Sequence, residues 1–326
     1  MSKSLKKQQK LGGIDMANSE EAAVKKKYRA CFYSSPSNID SAFAEKVLEL
    51  EKEIGMQVVL LWHNGQVRDA NADLNNQNSN VFAQNIRKLE EKKKVSVVVH
   101  SPGGDAGAAF KIASLLRKHC GGYDVIVPCH AKSAATLFTL GADKIIMSRF
   151  AELGPLDAQV FDAEEEKRFS ALEVVQAIER LNSEAIHAAD EQMVFWLSRS
   201  RKKVETLLPI ATHFVSEMIK PLFDKIDTVN FTGMARILKV AQDYAERLLE
   251  RNKALNSRDA AYIADKLTNT YSEHEYIIDC DELNRLGIKN AEEAKGKIRE
   301  IIEDMAFMGS NSIMLGPLEE IKNGKT

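Results

Sequence analysis

Two short stretches of this chain carry the residue types that acyl transfer needs. In VVVHSPGGDAGAAFKIASLL, residues 97–116, a β-branched run gives way to Ser101, Pro102, Gly103 and Gly104 and then to a helix-patterned run. About thirty residues further on, HAKSAATLFTLGAD sets Ser133 immediately before a second helix pattern. Acyl transfer requires a nucleophile, a base to take its proton, and hydrogen-bond donors where negative charge develops on the carbonyl oxygen. Glycines at a strand-to-helix corner adopt backbone conformations closed to other residues and let the main chain approach a ligand. Gly103 and Gly104 can therefore present N–H groups. Ser133 falls at a strand-to-helix junction, where unpaired N–H groups and the helix dipole favour a developing anion, and the Ala134 N–H is the second candidate donor. A plainer reading of the same residues stays open: Ser is a favoured N-cap, and SPGG is a good tight turn. His100 and His130 flank the two motifs at predicted strand ends. A structural histidine explains each of them as well as a catalytic one does.

The elements that must position these residues read as strand and helix in alternation. RACFYSS is a short strand, SAFAEKVLELEKEIG an amphipathic helix with Asp40 and Ser41 as capping candidates, and MQVVLLWHNG a buried strand. DANADLNNQNSN reads as an exposed polar connection to the helix VFAQNIRKLEEKKK. VSVVVH is a continuous β-branched run of the kind buried on both faces of a sheet. It is followed by a helix over 106–118, the strand DVIVPCH, the helix SAATLFTLGA and the strand KIIMS. Such alternation implies βαβ crossovers and an α/β fold with a mostly parallel sheet. The expected organisation is a flexible basic tail over 1–27, an α/β core over 28–160, a helical segment over 161–268 and a C-terminal closing segment over 269–326. His187 and His213 fall on the predicted long helices without a partner pattern, and Trp196, Leu197, Leu207 and Leu208 read as helix core.

Composition narrows the classes of function. The 326 residues suffice for a sizeable core, and 45 Lys+Arg against 47 Asp+Glu leave a formal charge of −2. No global charge favours nucleic acid or an acidic membrane. The opening MSKSLKKQQKLGG is basic but lacks the apolar centre of a secretory signal, and no window approaches the roughly 18 apolar residues of a membrane span. Cys31, Cys120, Cys129 and Cys280 are scattered without a CxxC or Cys/His metal spacing, so reduced structural thiols in the cytoplasm and no metal are expected. No P-loop pattern is present, and no cofactor is expected.

Taken together, HSPGGD, AKSAATLFTLGADKIIMS and AELGPLDAQ resemble the serine dehydrogenase proteinase family, a branch of the Clp protease and crotonase superfamily. The likeness is strongest over residues 95–160 and extends, more weakly, through VVLLWHNG and LTNTYSEHEYIIDCDELNRLGI. It implies a Clp/crotonase-like sheet core with flanking helices and a long helical addition. It implies Ser133 as nucleophile and Gly104 and Ala134 as oxyanion donors; Gly103, His130 and His100 stand beside these residues in sequence and are expected in supporting positions, with His130 and His100 the competing candidates for the base. Where a Clp protease carries its triad histidine, this chain has LGPLDAQ, and Asp157 stands there; where the triad aspartate belongs, SEHEYII supplies His274. The resemblance thus implies the order Ser133, Asp157, His274, with His274 as base and Asp157 as its orienter, an exchange that a triad defined by geometry permits. Relatives with a Ser-Lys dyad make Lys132 and Lys144 the alternative bases, which would need desolvation. The implied activity is hydrolysis of peptide or protein substrates by a homo-oligomer, with any energy-driven unfolding left to a separate partner. A crotonase-like acyl-CoA enzyme and a catalytically silent assembly module are the alternatives.

Overall fold

A computed structural model describes residues 26–63, 69–157, 159–162, 167–251, 255–271, 273–309 and 312–321. The basic tail expected over 1–27 lies, up to residue 25, outside the described residues. The chain opens with β1 (Tyr28–Ala30) and β2 (Tyr33–Ser35), then α1 (Ser41–Ile54), β3 (Val58–Trp62), α2 (Asn76–Asn85), β4 (Val95–His100) and α3 (Ala106–Cys120). There follow β5 (Tyr123–Val127), β6 (His130–Ala131), α4 (Ala134–Leu140), β7 (Ile145–Met147) and β8 (Glu152–Leu153). Next come β9 (Gln159–Asp162), β10 (Lys167–Ser170) and the long helices α5 (Ala171–Arg199), α6 (Val204–Phe223) and α7 (Thr228–Leu249). The closing elements are α8 (Ser257–Asn269), α9 (Cys280–Leu286), β11 (Ala291–Glu293), α10 (Gly296–Ala306) and β12 (Ile313–Glu320).

The central sheet runs β1-β12-β3-β4-β5-β7-β11, with β2 also paired to β12. Strands β3, β4, β5, β7 and β11 are parallel, and β12 runs antiparallel to β1, β2 and β3. Alternate residues feed two apolar layers, as the two-residue period of a strand requires. Val59, Leu61, Val97, Val99, Val125, Val127 and Ile145 face the layer that α3, α4, α7 and α8 complete. Val58, Leu60, Trp62, Val98, Ile126 and Ile146 face the layer of α1 and α10. Burial on both faces explains why these strands are unbroken apolar runs. Helix ends follow their caps: Asp40 accepts from the Ala42 and Phe43 amides, and α1 stops at Gly55 in the left-handed conformation, φ 66°. Likewise Asp105 accepts from Ala108 N, and Arg117, Lys118 and His119 occupy the last turn of α3. The mostly parallel α/β core with a long helical addition is the fold class that the sequence implied.

Three features depart from expectation. The segment taken as wholly helical begins with an antiparallel hairpin, β9–β10. The last strand, β12, sits inside the sheet, although Gly316 and Pro317 interrupt its pattern; the glycine is required, because a Cβ there would lie 2.5 Å from Phe32 Cγ at φ +97°. The Asn-rich connection is not simply exposed, since Asn71 (2%), Asn78 (0%) and Ser79 (0%) are buried. Among the described residues, no helix is long and apolar enough to cross a membrane.

Candidate active site

The ends of β3, β4 and β5 all deliver chain to one edge of the sheet, where open α/β sheets bind ligands. From β4 the chain passes through Ser101, Pro102, Gly103 and Gly104 into α3; from β5 it passes through Cys129, β6, Lys132 and Ser133 into α4. The two connections are stitched together by Ser101 N donating to His130 O (3.1 Å) and Lys132 N donating to Ser101 O (3.0 Å). Gly103 lies directly on Ser133: a Cβ on Gly103 would be 2.6 Å from Lys132 O and 2.8 Å from Ser133 Cβ. A Cβ on Gly104 would be 2.0 Å from Leu74 O. Only glycine fits either place.

Ser133 holds a conformation that a capping serine has no reason to adopt. Its φ is 49° and its ψ −117°, and its side chain makes no cap hydrogen bond to α4. A non-glycine residue in so sparsely populated a region costs on the order of 1–3 kcal/mol and persists only where its surroundings enforce it. A strained strand-to-helix corner of this kind lifts a side-chain oxygen clear of the sheet. The half-buried Ser133 hydroxyl is 3.5 Å from the Asp157 carbonyl oxygen. Among the described residues, the amides of Gly104 and Ala134 have no intramolecular acceptor, whereas Gly103 N donates to Ser101 Oγ and Asp105 N to Leu74 O.

Asp157 and His274, far apart in sequence, are brought together. Leu156 N donates to Leu267 O (2.8 Å), and Leu153 and Ile278 exchange a pair of hydrogen bonds (2.9 and 3.1 Å), so the segment before Asp157 runs beside the one that follows His274. Asp157 is 2% exposed. A buried carboxylate must be compensated. One oxygen accepts from Leu172 N (3.3 Å) and the other lies 3.7 Å from His274 Nδ1. That Nδ1 is buried and has no hydrogen-bond partner among the described residues.

The neighbouring bases are engaged elsewhere. Lys132 Nζ is 3.4 Å from both Leu153 O and Glu152 Oε2, and Lys144 pairs with Glu292 at 2.8 Å. His100 is stacked on Trp62 (centroids 4.3 Å apart) and touches the His130 ring (4.0 Å). Burial pushes the His100 imidazole down to about 3, helped by His130 and His63, and burial also lowers His130. His187 lies 3.6 Å from Glu191 on α5, and His213 lies on α6, both outside the connections that follow β4 and β5.

His63, at the end of β3, was not singled out by its sequence context. It is fully buried, its Nδ1 meeting Ser101 Oγ (3.1 Å) and its Nε2 meeting Asn78 Oδ1. Asn78 Nδ2 donates in turn to Asn71 Oδ1, which fixes the amide and assigns the ring proton to Nε2. The Gly103 amide, Ser101, His63, Asn78 and Asn71 thus form one buried chain that braces the SPGG turn. Burial holds His63 down to about 4, with the Asn78 contact opposing. A histidine at a strand end followed by an Asn-rich stretch is the only signal that marked it.

A cavity of about 530 Å³ opens over the site. Gly104, Ser133, Ala134 and Asp157 form one side, and Arg236, Val240 and Tyr244 of α7 form the other. Tyr244 is stacked on Phe110 of α3 at 4.4 Å, which anchors that wall to the core.

A model of the ClpP-like SDH-type serine proteinase family matches residues 73–232, which include Gly104, Ser133 and Asp157 but not His274. An uncharacterized protein of Methanocaldococcus jannaschii is 32% identical over 153 residues, 47% of this chain and 48% of its own length. The chain thus spans about half of that relative. A second uncharacterized protein of the same organism is 24% identical over 262 residues, 79% of this chain and 74% of its own length. ClpP1 from Listeria monocytogenes covers 76% of this chain and 96% of its own with 12% identity and a TM-score of 0.38. A mutant of that ClpP1 covers 78% and 99%, with 12% identity and a TM-score of 0.37. Over residues 73–232, just under half of its length, the chain is similar to the ClpP-like SDH-type serine proteinase family.

Proposed function

We propose that the chain is a serine peptidase that hydrolyses peptide bonds through an acyl-enzyme on Ser133. The observation that carries this reading is the strained Ser133 corner, its hydroxyl unused as a cap and lining the same cavity as Gly104 and Ala134, whose amides have no acceptor among the described residues. In the reaction, His274 takes the hydroxyl proton as Ser133 Oγ attacks the scissile carbonyl, and then gives that proton to the leaving amine. Asp157 holds the imidazole with Nδ1–H towards its carboxylate, which leaves Nε2 to act as base. The Gly104 and Ala134 amides receive the oxyanion. Water, activated by His274, then cleaves the ester. A Ser-Lys dyad is the weaker mechanism, because Lys132 and Lys144 are held by Glu152 and Glu292. No observation favours the acyl-CoA or the silent reading over this one.

The domain division expected from sequence fits this reading, with α7 of the helical segment walling the cavity as a lid. The exposed apolar side chains of α5 and α6, such as Val194, Phe195, Phe214, Met218 and Leu222, support a homo-oligomer; a monomeric mass by light scattering would count against it. The four thiols are free, in keeping with a reducing cytoplasm. An activated peptidyl ester tests the mechanism: release of its chromophore should show a burst equal to the concentration of chain, and none in Ser133→Ala. Steady hydrolysis unaffected by that substitution would refute it.

A further inference from the structure

Beside the serine corner, but on residues that the proposed mechanism does not use, the fold gathers a second set of reactive groups. His100 closes β4, and Cys129 and His130 open the connection that leads to Ser133. His100 is distant in sequence from the adjacent pair Cys129 and His130, and the parallel pairing of β4 with β5, continued by the Ser101–Ala131 bridge, brings them together. One ligand atom from each of the three lies within 4.8 Å of the other two. All three side chains are half-buried, neither sealed in the core nor free in solvent. His100 Nδ1 is buried with no hydrogen-bond partner among the described residues. A buried polar nitrogen without a partner calls for an explanation. Stacking on Trp62 fixes the plane of the His100 ring and the contact with His130 limits the other, so the donor set is largely organised in advance.

We propose that His100, Cys129 and His130 form a binding site for a zinc-class divalent ion. Two imidazole nitrogens and one thiolate are a borderline-to-soft set, which suits zinc and excludes magnesium or calcium, whose ligands are oxygens. A tetrahedral zinc with bonds of roughly 2.0–2.1 Å to nitrogen and 2.3 Å to sulfur needs its ligand atoms about 3.3–3.7 Å apart. Ligand atoms at the 4.8 Å limit would have to close by about 1.1–1.5 Å, a side-chain adjustment. Three protein ligands leave one coordination position open. On binding, Cys129 gives up its proton to solvent and the ion takes the thiolate.

The position gives the ion a structural consequence. Its ligands lie on the two connections that Ser101 and Lys132 stitch together by main-chain hydrogen bonds, one leading to Gly103 and Gly104 and the other to Ser133. A bound ion would cross-link them a second time, and would stiffen or displace the serine corner. Binding itself does not depend on Ser133 being a nucleophile.

The test uses the full chain, purified under reducing conditions and stripped with a chelator. Cobalt(II) should bind at one equivalent and give the intense visible bands of a tetrahedral site with a thiolate-to-metal charge-transfer band, and zinc should displace it. Cys129→Ser should abolish the charge-transfer band and weaken zinc binding by at least about tenfold, while Cys31→Ser leaves both unchanged. Cys129→Ser is the primary variant because replacing His100 would disturb its packing on Trp62; melting curves confirm that it is folded. Replacement of His130 by Gln should weaken zinc binding comparably. A pale octahedral cobalt spectrum, or a charge-transfer band that survives Cys129→Ser, would overturn the assignment.

Discussion

The backbone at Ser133 offers a quantitative test that does not involve substrate. Its φ of 49° and ψ of −117° place a Cβ-bearing residue in a region that costs on the order of 1–3 kcal/mol. Ser133→Ala keeps the Cβ and so keeps that cost, while Ser133→Gly removes it. Glycine also enlarges the freedom of the unfolded chain, at a cost of about 0.5–1 kcal/mol. The net expectation is that Ser133→Gly exceeds Ser133→Ala in stability by up to about 2.5 kcal/mol, with a midpoint of about 1 kcal/mol, or a few degrees at most in Tm for a chain of this size. Both variants lack the hydroxyl, so their difference isolates the backbone. Urea unfolding of the two, monitored by the fluorescence of Trp62 and Trp196, reads the difference as a shift in midpoint. A glycine variant less stable than the alanine variant would refute the claim that the fold holds Ser133 under strain.

Other expectations follow from the same geometry. Gly104→Ala places a methyl group 2.0 Å from Leu74 O at φ +139°, so the turn must shift; reaction with a serine-directed fluorophosphonate should fall steeply while the chain stays folded by circular dichroism. His63 is held neutral, with its folded pKa depressed to about 4 against an unfolded value near ~6.5. Between those values the unfolded state binds a proton that the folded state does not, so this contribution is intact above pH ~6.5 and erodes as pH falls to about 4. By pH ~5 the loss amounts to about 2 kcal/mol, and His63→Gln should flatten the decline of unfolding free energy between pH ~7.5 and ~5; an unchanged slope would contradict the assignment. Because Lys132 is tied to Glu152 and Leu153, Lys132→Met should retain fluorophosphonate labelling, whereas a Ser-Lys dyad would lose it.

How much of this could be read in advance depended on how local the cause was. Runs such as Val95–Val99 and Val58–Leu61 announced strands buried on both faces because their own side chains do the burying. The glycines and Ser133 were visible because the corner needs those residue types at those places. Strand β12 was hidden, since its central Gly316 and Pro317 are tolerated only through contacts with Phe32 and Cys31 made at the other end of the chain. The β9–β10 hairpin was hidden because its strands are four residues each, too short for a period to show. The His63 to Asn71 chain was concealed by composition: a polar stretch reads as solvated until a buried imidazole is found that needs its amides. The grouping of His100 with Cys129 and His130 reflects strand pairing alone, so no spacing rule could report it. The approach of His274 to Asp157 was implied only by family resemblance, because it is made by hydrogen bonds between Leu153 and Ile278, which nothing local encodes.

The most direct measurement is the rate and position of fluorophosphonate attachment, followed by peptide mapping in a mass spectrometer. The account predicts a single adduct on Ser133, a rate lowered by at least about 100-fold in His274→Ala, a comparable loss in Asp157→Asn, and a rate close to that of the parent chain in His130→Ala. An adduct on another residue, or an undiminished rate in His274→Ala, would contradict it.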